Sequence, residues 1–310
     1  MWGLALHHDG QAMAQVEALP PSVSAESLPV PYTTFPATGG PVLVDPNAVV
    51  EAPDYGPSGW TWQALPEGLI YRSYLAGGRE PRLGVQIIRE KDKHYLWDVA
   101  LGGRAGLLRY GTCDPLWPEG WQLDIEGAAF PRLDMDDHRD LVSTDFRFGL
   151  PLTFRRGKGE FKLAYYHFSS HLGDEFLLSH PGYPRRNYVR DAMVLGFGLR
   201  PGENLRFYAE ADWAFSEDDG AQPWEFQFGA EYSPGQPSQW YGAPFAAINS
   251  RLRQEVDYSG NLTVQAGWQW RGESGHLFRL GLHYFNGLAD QGQFFDEHEE
   301  QIGFGVWYDF

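Results

Sequence analysis

His167 and Ser169 are the residues of this 310-residue chain whose types and spacing could do chemistry. An imidazole can take the proton of a neighbouring hydroxyl, and the activated oxygen then attacks an ester carbonyl. On an extended strand, side chains at i and i+2 share one face, with Cα atoms roughly 6.5–7 Å apart. His167 as general base and Ser169 as nucleophile would therefore cleave an acyl ester.

Such a pair needs a third group that orients the imidazole, together with donors for the oxyanion. Asn187 and Asp191 are the candidates, because both have outward parity on the strand that follows. The spacing does not choose between them. In the alternative interpretation, His167 and Ser169 are interfacial polar residues that hydrogen-bond loops or lipid headgroups.

The elements that must position these residues are strands, because apolar and polar residues alternate strictly from about residue 82 onward. In the last segment, Phe304, Val306 and Tyr308 alternate with Gly305 and Trp307, which gives one apolar and one polar face. The pattern predicts strands at 82–89, 95–110, 121–130, 141–155, 160–171, 188–200, 205–213, 224–232, 243–256, 262–270, 278–285 and 301–310. The segment from Leu69 to Leu75 is left open as a thirteenth strand or a short strand at the rim.

Composition excludes several classes of protein. The chain has 24 Lys and Arg against 41 Asp and Glu, a net charge of −17, which argues against a nucleic-acid partner. Its single Cys113 rules out an intramolecular disulfide and a multi-cysteine metal site. No stretch approaches the roughly 20 apolar residues of a membrane helix. Aromatic residues at 15% and 37 glycines favour strands instead.

A β-sandwich and a membrane barrel both alternate, but the aromatic residues favour the barrel. They stand at strand ends, as in Trp224 with Tyr232 and Trp268 with Trp270, like the girdles of transmembrane barrels. The number of strands is even, and most approach the 9–11 residues that cross a bilayer with tilt. The predicted fold is all-β: a single antiparallel transmembrane β-barrel of about 12 strands with a disordered N-terminal arm. A soluble β-sandwich binding protein is the remote alternative.

The chain divides into three predicted parts. Residues 1–57 combine the remnant of a secretory signal, ending near Ala12-Met13-Ala14, with a flexible Pro-rich arm. Residues 58–81 form a short lead-in segment, and residues 82–310 form the barrel. Export from the cytoplasm is expected from this arrangement.

Residues 82–310, which end on Phe310, resemble bacterial outer-membrane β-barrels, and among them an uncharacterised barrel family. The resemblance implies location in the bacterial outer membrane, contact with its lipid and lipopolysaccharide, and recognition of Phe310 by the barrel assembly machinery. The His-x-Ser of His167 and Ser169 is similar to the motif of outer-membrane phospholipase A and the lipid A 3-O-deacylases. Those families carry the pair on the lipid-facing wall, and they have Asn where this chain has Ser170.

The sequence is compatible with two functions. The first is a structural or small-solute-passage barrel with a narrow or occluded lumen, since inward-facing acids and bases occur in similar numbers. The alternative is an acyl-ester hydrolase acting on phospholipid or lipid A. No cofactor is expected. Carboxylates in the predicted outer loops suit Ca²⁺, but a solvated acidic surface that keeps the loops apart is the favoured explanation. The oligomeric state is not determined. The acidic loops are 132–139, 172–187, 216–222 and 287–299.

Overall fold

Strands form most of the chain in the computed structural model, which describes residues 59–91 and 95–310. The predicted signal remnant and N-terminal arm, residues 1–57, lie outside the described residues. One short helix, α1 (Asp174–Ser179), follows the sixth strand. In the described part of the chain, no helix has the length and apolarity that crossing a membrane requires. The strands are β1 (Thr61–Ala64), β2 (Leu83–Glu90), β3 (Tyr95–Gly111), β4 (Gly120–Asp134), β5 (Asp140–Arg156), β6 (Gly159–Leu172), β7 (Val189–Gly202), β8 (Leu205–Asp218), β9 (Trp224–Tyr232), β10 (Ala243–Arg253), β11 (Gly260–Arg271), β12 (Leu277–Leu288) and β13 (His298–Asp309).

Strands β2 to β13 close into a ring of twelve in which every pairing is antiparallel. The ring closes where β13 pairs with β2, placing Phe304 opposite Ile87 and Tyr308 opposite Leu83. Antiparallel neighbours need only short connections, so consecutive strands pair around the ring. The predicted barrel is confirmed, including closure of the last strand onto a strand just after the lead-in segment, and the sandwich alternative is wrong.

The two faces of each strand follow from its period of two. On β6, Phe161 and Leu163 are about half exposed, whereas Lys162 between them is buried. The same contrast recurs around the ring, so large apolar side chains cover the outside and charged side chains fill the inside. This reverses the order of a water-soluble protein and is typical of a barrel with a lipid-facing wall.

The ends of the barrel differ in their connections. We call the end with the β5–β6 turn and the end of β13 the proximal end, and the opposite end the distal end. The distal end carries α1 and the long connections 173–188 and 289–297. Several strands run further toward it than the apolar alternation predicts; β4 reaches Asp134 and β8 reaches Asp218. Strands can continue beyond an apolar band because their hydrogen bonds run between backbones, whatever the side chains.

The lead-in segment differs from both options left open by the sequence. Leu69 to Leu75 forms no strand, and the short extra strand is β1 instead. Strands β1 and β2 pair with the same edge of β3, on either side of its residues 102–107. Between them, residues 65–82 leave the wall, and most residues from Leu69 to Arg82 are buried inside the barrel; we call the segment 65–82 the plug. Its ends are fixed by the amide of Leu65, which donates to Leu107 at 3.0 Å, and the carbonyl of Arg82, which accepts from Gly102 at 2.9 Å.

The physical reason for this difference is burial on all sides. Leu69, Ile70 and Tyr71 are consecutive and all nearly inaccessible, whereas a strand in the wall would bury only every second residue. Tyr74 and Ala76 are equally inaccessible. The apolar residues of the plug therefore serve as an interior packing of the barrel rather than as part of its wall.

Candidate functional site

The outward-facing candidate site is built where β6 and β7 approach the distal end. The two strands pair so that His167 stands directly opposite Asp191. The His167 Nδ1 lies 3.0 Å from the Asp191 Oδ1, and the hydroxyl of Tyr165 donates to the same oxygen at 2.6 Å. All three side chains are partly exposed on the outward face. The carboxylate therefore holds the imidazole through Nδ1, and Nε2 has no hydrogen-bond partner among the described residues.

Asn187, the other predicted orienting residue, has different partners. Its backbone N–H donates to the Asp219 carboxylate at 2.6 Å, and its side-chain amide donates to Asp218 at 3.0 Å. It thus joins the connection before β7 to the connection after β8. Asp191, and not Asn187, is the residue that the structure brings to His167.

Ser169 lies on the same outward face as His167, two residues closer to the distal end, opposite Phe146 and Val189. Among the described residues, its hydroxyl has no hydrogen-bond partner, and His167 is not hydrogen-bonded to it. The next residue, Ser170, faces the interior and donates to Asp145. Attack by Ser169 would therefore require rotation of its side chain or of the imidazole toward the other, along the strand.

Sequence reasoning missed Tyr165 as part of this cluster, because its alternation assigned it to the apolar face. Its ring does lie there, 6.3 Å from that of Phe215. Its hydroxyl reaches the carboxylate of Asp191, which lies two residues from Met193, the partner of Tyr165 on the neighbouring strand. The available signal was the alternation of the strand. Tyr165 and His167 both face outward, so the residue opposite His167 is within reach of both side chains.

The second candidate site is the lumen, where arginines of the wall hold the plug by its backbone. An irregular segment in a barrel interior leaves carbonyl groups without ladder partners, and those groups must be satisfied. A guanidinium offers five donors and can satisfy two carbonyls at once. The contacts are Arg109 to Glu67 and Gly68 at 2.8 Å each, Arg206 to Arg72 at 2.9 Å, Arg279 to Leu75 at 3.2 Å and Arg147 to Arg79 at 2.6 Å.

Side chains of the plug add further anchors. The hydroxyl of Tyr74 donates to Glu210 at 2.5 Å, and its ring stacks on Tyr208 at a centroid distance of 3.6 Å. Arg79 stacks on the ring of Phe168 near the distal end, 4.1 Å away. The plug is therefore attached to β6, β8 and their neighbours as well as to β3.

Around the plug, the interior acids and bases pair with each other. They join the wall to itself and to loop residues. Representative pairs are Arg104–Asp124 at 2.5 Å, Arg132–Glu299 at 2.5 Å, Arg251–Glu225 at 2.9 Å and Arg251–Asp290 at 2.9 Å. A cluster of this kind is costly to open, because each partner left alone is a buried charge.

The acidic distal loops are partly tied together. Arg186 donates two hydrogen bonds to Asp296, at 2.9 and 2.8 Å, and these bonds lower the pKa of the Asp296 carboxyl. Burial and a hydrogen bond to Glu297 raise the pKa of Tyr183. A cavity of about 280 Å³, lined partly by acids, opens beside Tyr183.

No group of three or more His, Cys, Asp or Glu residues within 59–91 and 95–310 is arranged so that it could hold a metal ion. Calcium at these loops stays a prediction.

Comparison with known proteins gives one family model and several solved structures to which the chain is similar. A family model described as "Protein of unknown function (DUF1207)" matches residues 61–310. No curated protein matches the chain. Among solved structures, outer membrane phospholipase A from Escherichia coli is 12% identical, with 73% of this chain and 95% of that chain covered and a TM-score of 0.49. The calcium-bound phospholipase dimer from Salmonella typhi is 13% identical, with coverage of 74% and 91% and a TM-score of 0.49. The KdgM porin is 7% identical, with coverage of 74% and 98% and a TM-score of 0.41.

Proposed function

The chain belongs to the family described as "Protein of unknown function (DUF1207)", and from that premise we propose that it is a bacterial outer-membrane barrel closed at rest by its own plug. Its role is structural while the plug is in place, and it passes small solutes when the plug is displaced. The observation that carries the proposal is the position of residues 65–82 inside the ring of β2 to β13.

The number of strands in the barrel determines whether the plug matters for conduction. Eight strands give an interior that side chains alone can fill, and 16 or more give an aqueous channel. A ring of twelve lies between these sizes, so the contents of its lumen decide whether it conducts. Here the plug supplies buried side chains such as Tyr71 and Tyr74. Its anchors are chiefly hydrogen bonds and ion pairs, which can be exchanged for others when a segment moves.

The proposal predicts that the full-length wild-type protein, inserted into planar bilayers, shows almost no ion conductance. Liposomes containing it should swell in small sugars no faster than empty liposomes, because the plug blocks the lumen. Insertion is checked by heat-modifiable electrophoretic mobility. Stable open-channel steps from wild-type protein would contradict closure at rest.

A second candidate function is hydrolysis of acyl esters in membrane lipid. It is favoured by the Asp191–His167 pair on the outward face, with Ser169 two residues further along β6 on the same face. An acyl chain lying against the wall would reach this face without entering the lumen. The two proposals concern opposite faces of the barrel, so each can fail without the other.

The partners follow from the same proposal. Lipid would cover the apolar outer face, and lipopolysaccharide would adjoin the acidic distal loops, where Ca²⁺ could bridge carboxylates to phosphates. The barrel assembly machinery would read Phe310, whose ring packs 5.2 Å from Tyr308 directly after β13.

A further inference from the structure

Positive charge accumulates at the proximal end of a chain whose net charge is −17. The side chains come from the plug and from four different strands, so the fold and not one sequence motif assembles them. We call this group the arginine cluster. Its members are Arg72, Arg155, Arg200, Arg206 and Arg271.

Three members of the cluster surround a single indole. The guanidinium carbons of Arg72, Arg155 and Arg200 lie 4.6, 4.8 and 5.1 Å from the centre of the Trp117 ring. Stacking on an aromatic face offsets part of the cost of bringing one cation near it. Three cations on one ring still repel each other, so an anion placed among them would be stabilised by all three.

The cluster has fewer carboxylates than cations. Glu160 pairs with both Arg200 and Arg206. Arg72, Arg155 and Arg271 have no carboxylate within ion-pair distance in the described part of the chain, and they donate to neutral oxygens instead. These contacts are Arg72 to Leu116, Arg155 to Gly157, and Arg271 to Pro234, Gly275 and Ser233.

A small cavity opens within the cluster, and buried donors nearby have no acceptor. The cavity is lined by four of the arginines and by two carboxylates that are already engaged. Glu231 accepts from the amide of Leu75 and pairs with Arg206 at 3.6 Å, and Asp309 pairs with Arg279 and Arg82. The Nη2 of Arg206, a side chain only 1% exposed, has no hydrogen-bond partner among the described residues. Neither has the buried Nε1 of Trp117. Other buried side-chain atoms of the barrel also lack partners, so these two donors support an acceptor at this place only together with the excess of cations around it.

We propose that the arginine cluster binds an anionic group, a phosphate or a carboxylate, at the proximal mouth of the barrel. Guanidinium groups suit such anions because their planar donor pairs match the two oxygens. Arg156 and Lys158 are exposed on the β5–β6 turn beside the cluster and would attract anions toward it. Because Arg72 belongs to the plug, the bound anion would also tie the plug to the wall.

The first test titrates inorganic phosphate into the full-length protein in a zwitterionic detergent by calorimetry. We expect saturable binding that weakens as salt concentration rises. Arg72→Gln should weaken it by about tenfold or more, because a charge-assisted donor is lost. Arg155→Gln should do the same from the partly exposed rim, where the change is compatible with folding. The control Arg186→Gln removes an arginine from a distal loop and should leave phosphate binding unchanged.

The second test distinguishes a soluble phosphate from a lipid headgroup. Phosphate is titrated into protein in phosphatidylcholine nanodiscs with and without phosphatidylglycerol. A headgroup ligand predicts that phosphatidylglycerol abolishes the phosphate titration, whereas a soluble ligand predicts equal binding in both. Absence of saturable phosphate binding to the wild type in phosphatidylcholine contradicts the proposal. Equal binding by wild type and a folded Arg155→Gln variant contradicts it as well.

Discussion

Replacing residues 65–82 with a six-residue Gly/Thr linker will convert the closed barrel into a conducting one. The register permits this change, because Ala64 pairs with Leu108 and Leu83 pairs with Leu101 on the same edge of β3. Six residues of β3, 102–107, separate those partners, so a linker of that length joins β1 to β2 as one strand. We expect bilayer conductance on the order of tenfold or more above wild type, since a twelve-stranded ring without its plug encloses water.

The matched control places the same linker over residues 180–185, in the distal connection that follows α1. That change alters a mostly exposed loop and leaves the plug in place, so conductance should stay at the wild-type level. Folding of both variants is checked by heat-modifiable mobility. A plug-less variant that inserts normally and still does not conduct would mean that the wall side chains close the lumen without the plug.

Substitutions at the outward-facing site should have a large effect on any ester hydrolysis. If Ser169 is a nucleophile, Ser169→Ala should reduce phospholipid or lipid A ester cleavage by about a thousandfold or more, in line with loss of a nucleophile elsewhere. Asp191→Asn should also lower the rate and alter its pH profile, because the His167 ring loses the carboxylate that holds its Nδ1. Thermal stability should change little in Ser169→Ala, since that side chain makes no hydrogen bond among the described residues.

Ser250→Ala is the matched control for Ser169→Ala. Ser250 is a partly buried serine near the distal end of β10, on a face shared with the exposed Ile248, and it is remote from β6 in strand order. Its loss should leave any hydrolysis unchanged. If purified wild type cleaves no acyl ester with or without Ca²⁺, the hydrolase proposal is wrong, and the closed-barrel proposal is unaffected.

The strands of the barrel wall could be predicted from the sequence, because the alternation of apolar and polar residues is a local property of each strand. The sequence was insufficient for the plug, because the partners of that segment lie far along the chain; the amide of Leu75 donates to Glu231, 156 residues away. Consecutive apolar residues such as Leu69 and Ile70 show burial but do not say against which surface.

The outward-facing site was predicted in part. Parity identified the faces of His167 and Ser169 and narrowed the orienting group to Asn187 or Asp191. The pairing register of β6 with β7 places Asp191, and not Asn187, opposite His167. That register depends on how the long connection between the two strands folds. That connection contains α1 and a bidentate ion pair of Arg186 with Asp296, neither of which the spacing of residues reveals.

The position of the plug is tested most directly by a disulfide between the plug and a distal loop. A Cβ atom at Gly78 would lie 3.6 Å from the Cβ of Asp290, within the roughly 3.5–4.5 Å that a disulfide spans. In a Cys113→Ser background, the double variant Gly78→Cys, Asp290→Cys should form a disulfide in isolated outer membranes. The disulfide is detected as a difference in electrophoretic mobility between reduced and oxidised samples. The control, Gly157→Cys with Asp290→Cys, joins opposite ends of the barrel and should stay reduced. A folded barrel in which Gly78→Cys and Asp290→Cys remain free thiols under oxidising conditions would contradict a plug inside the lumen.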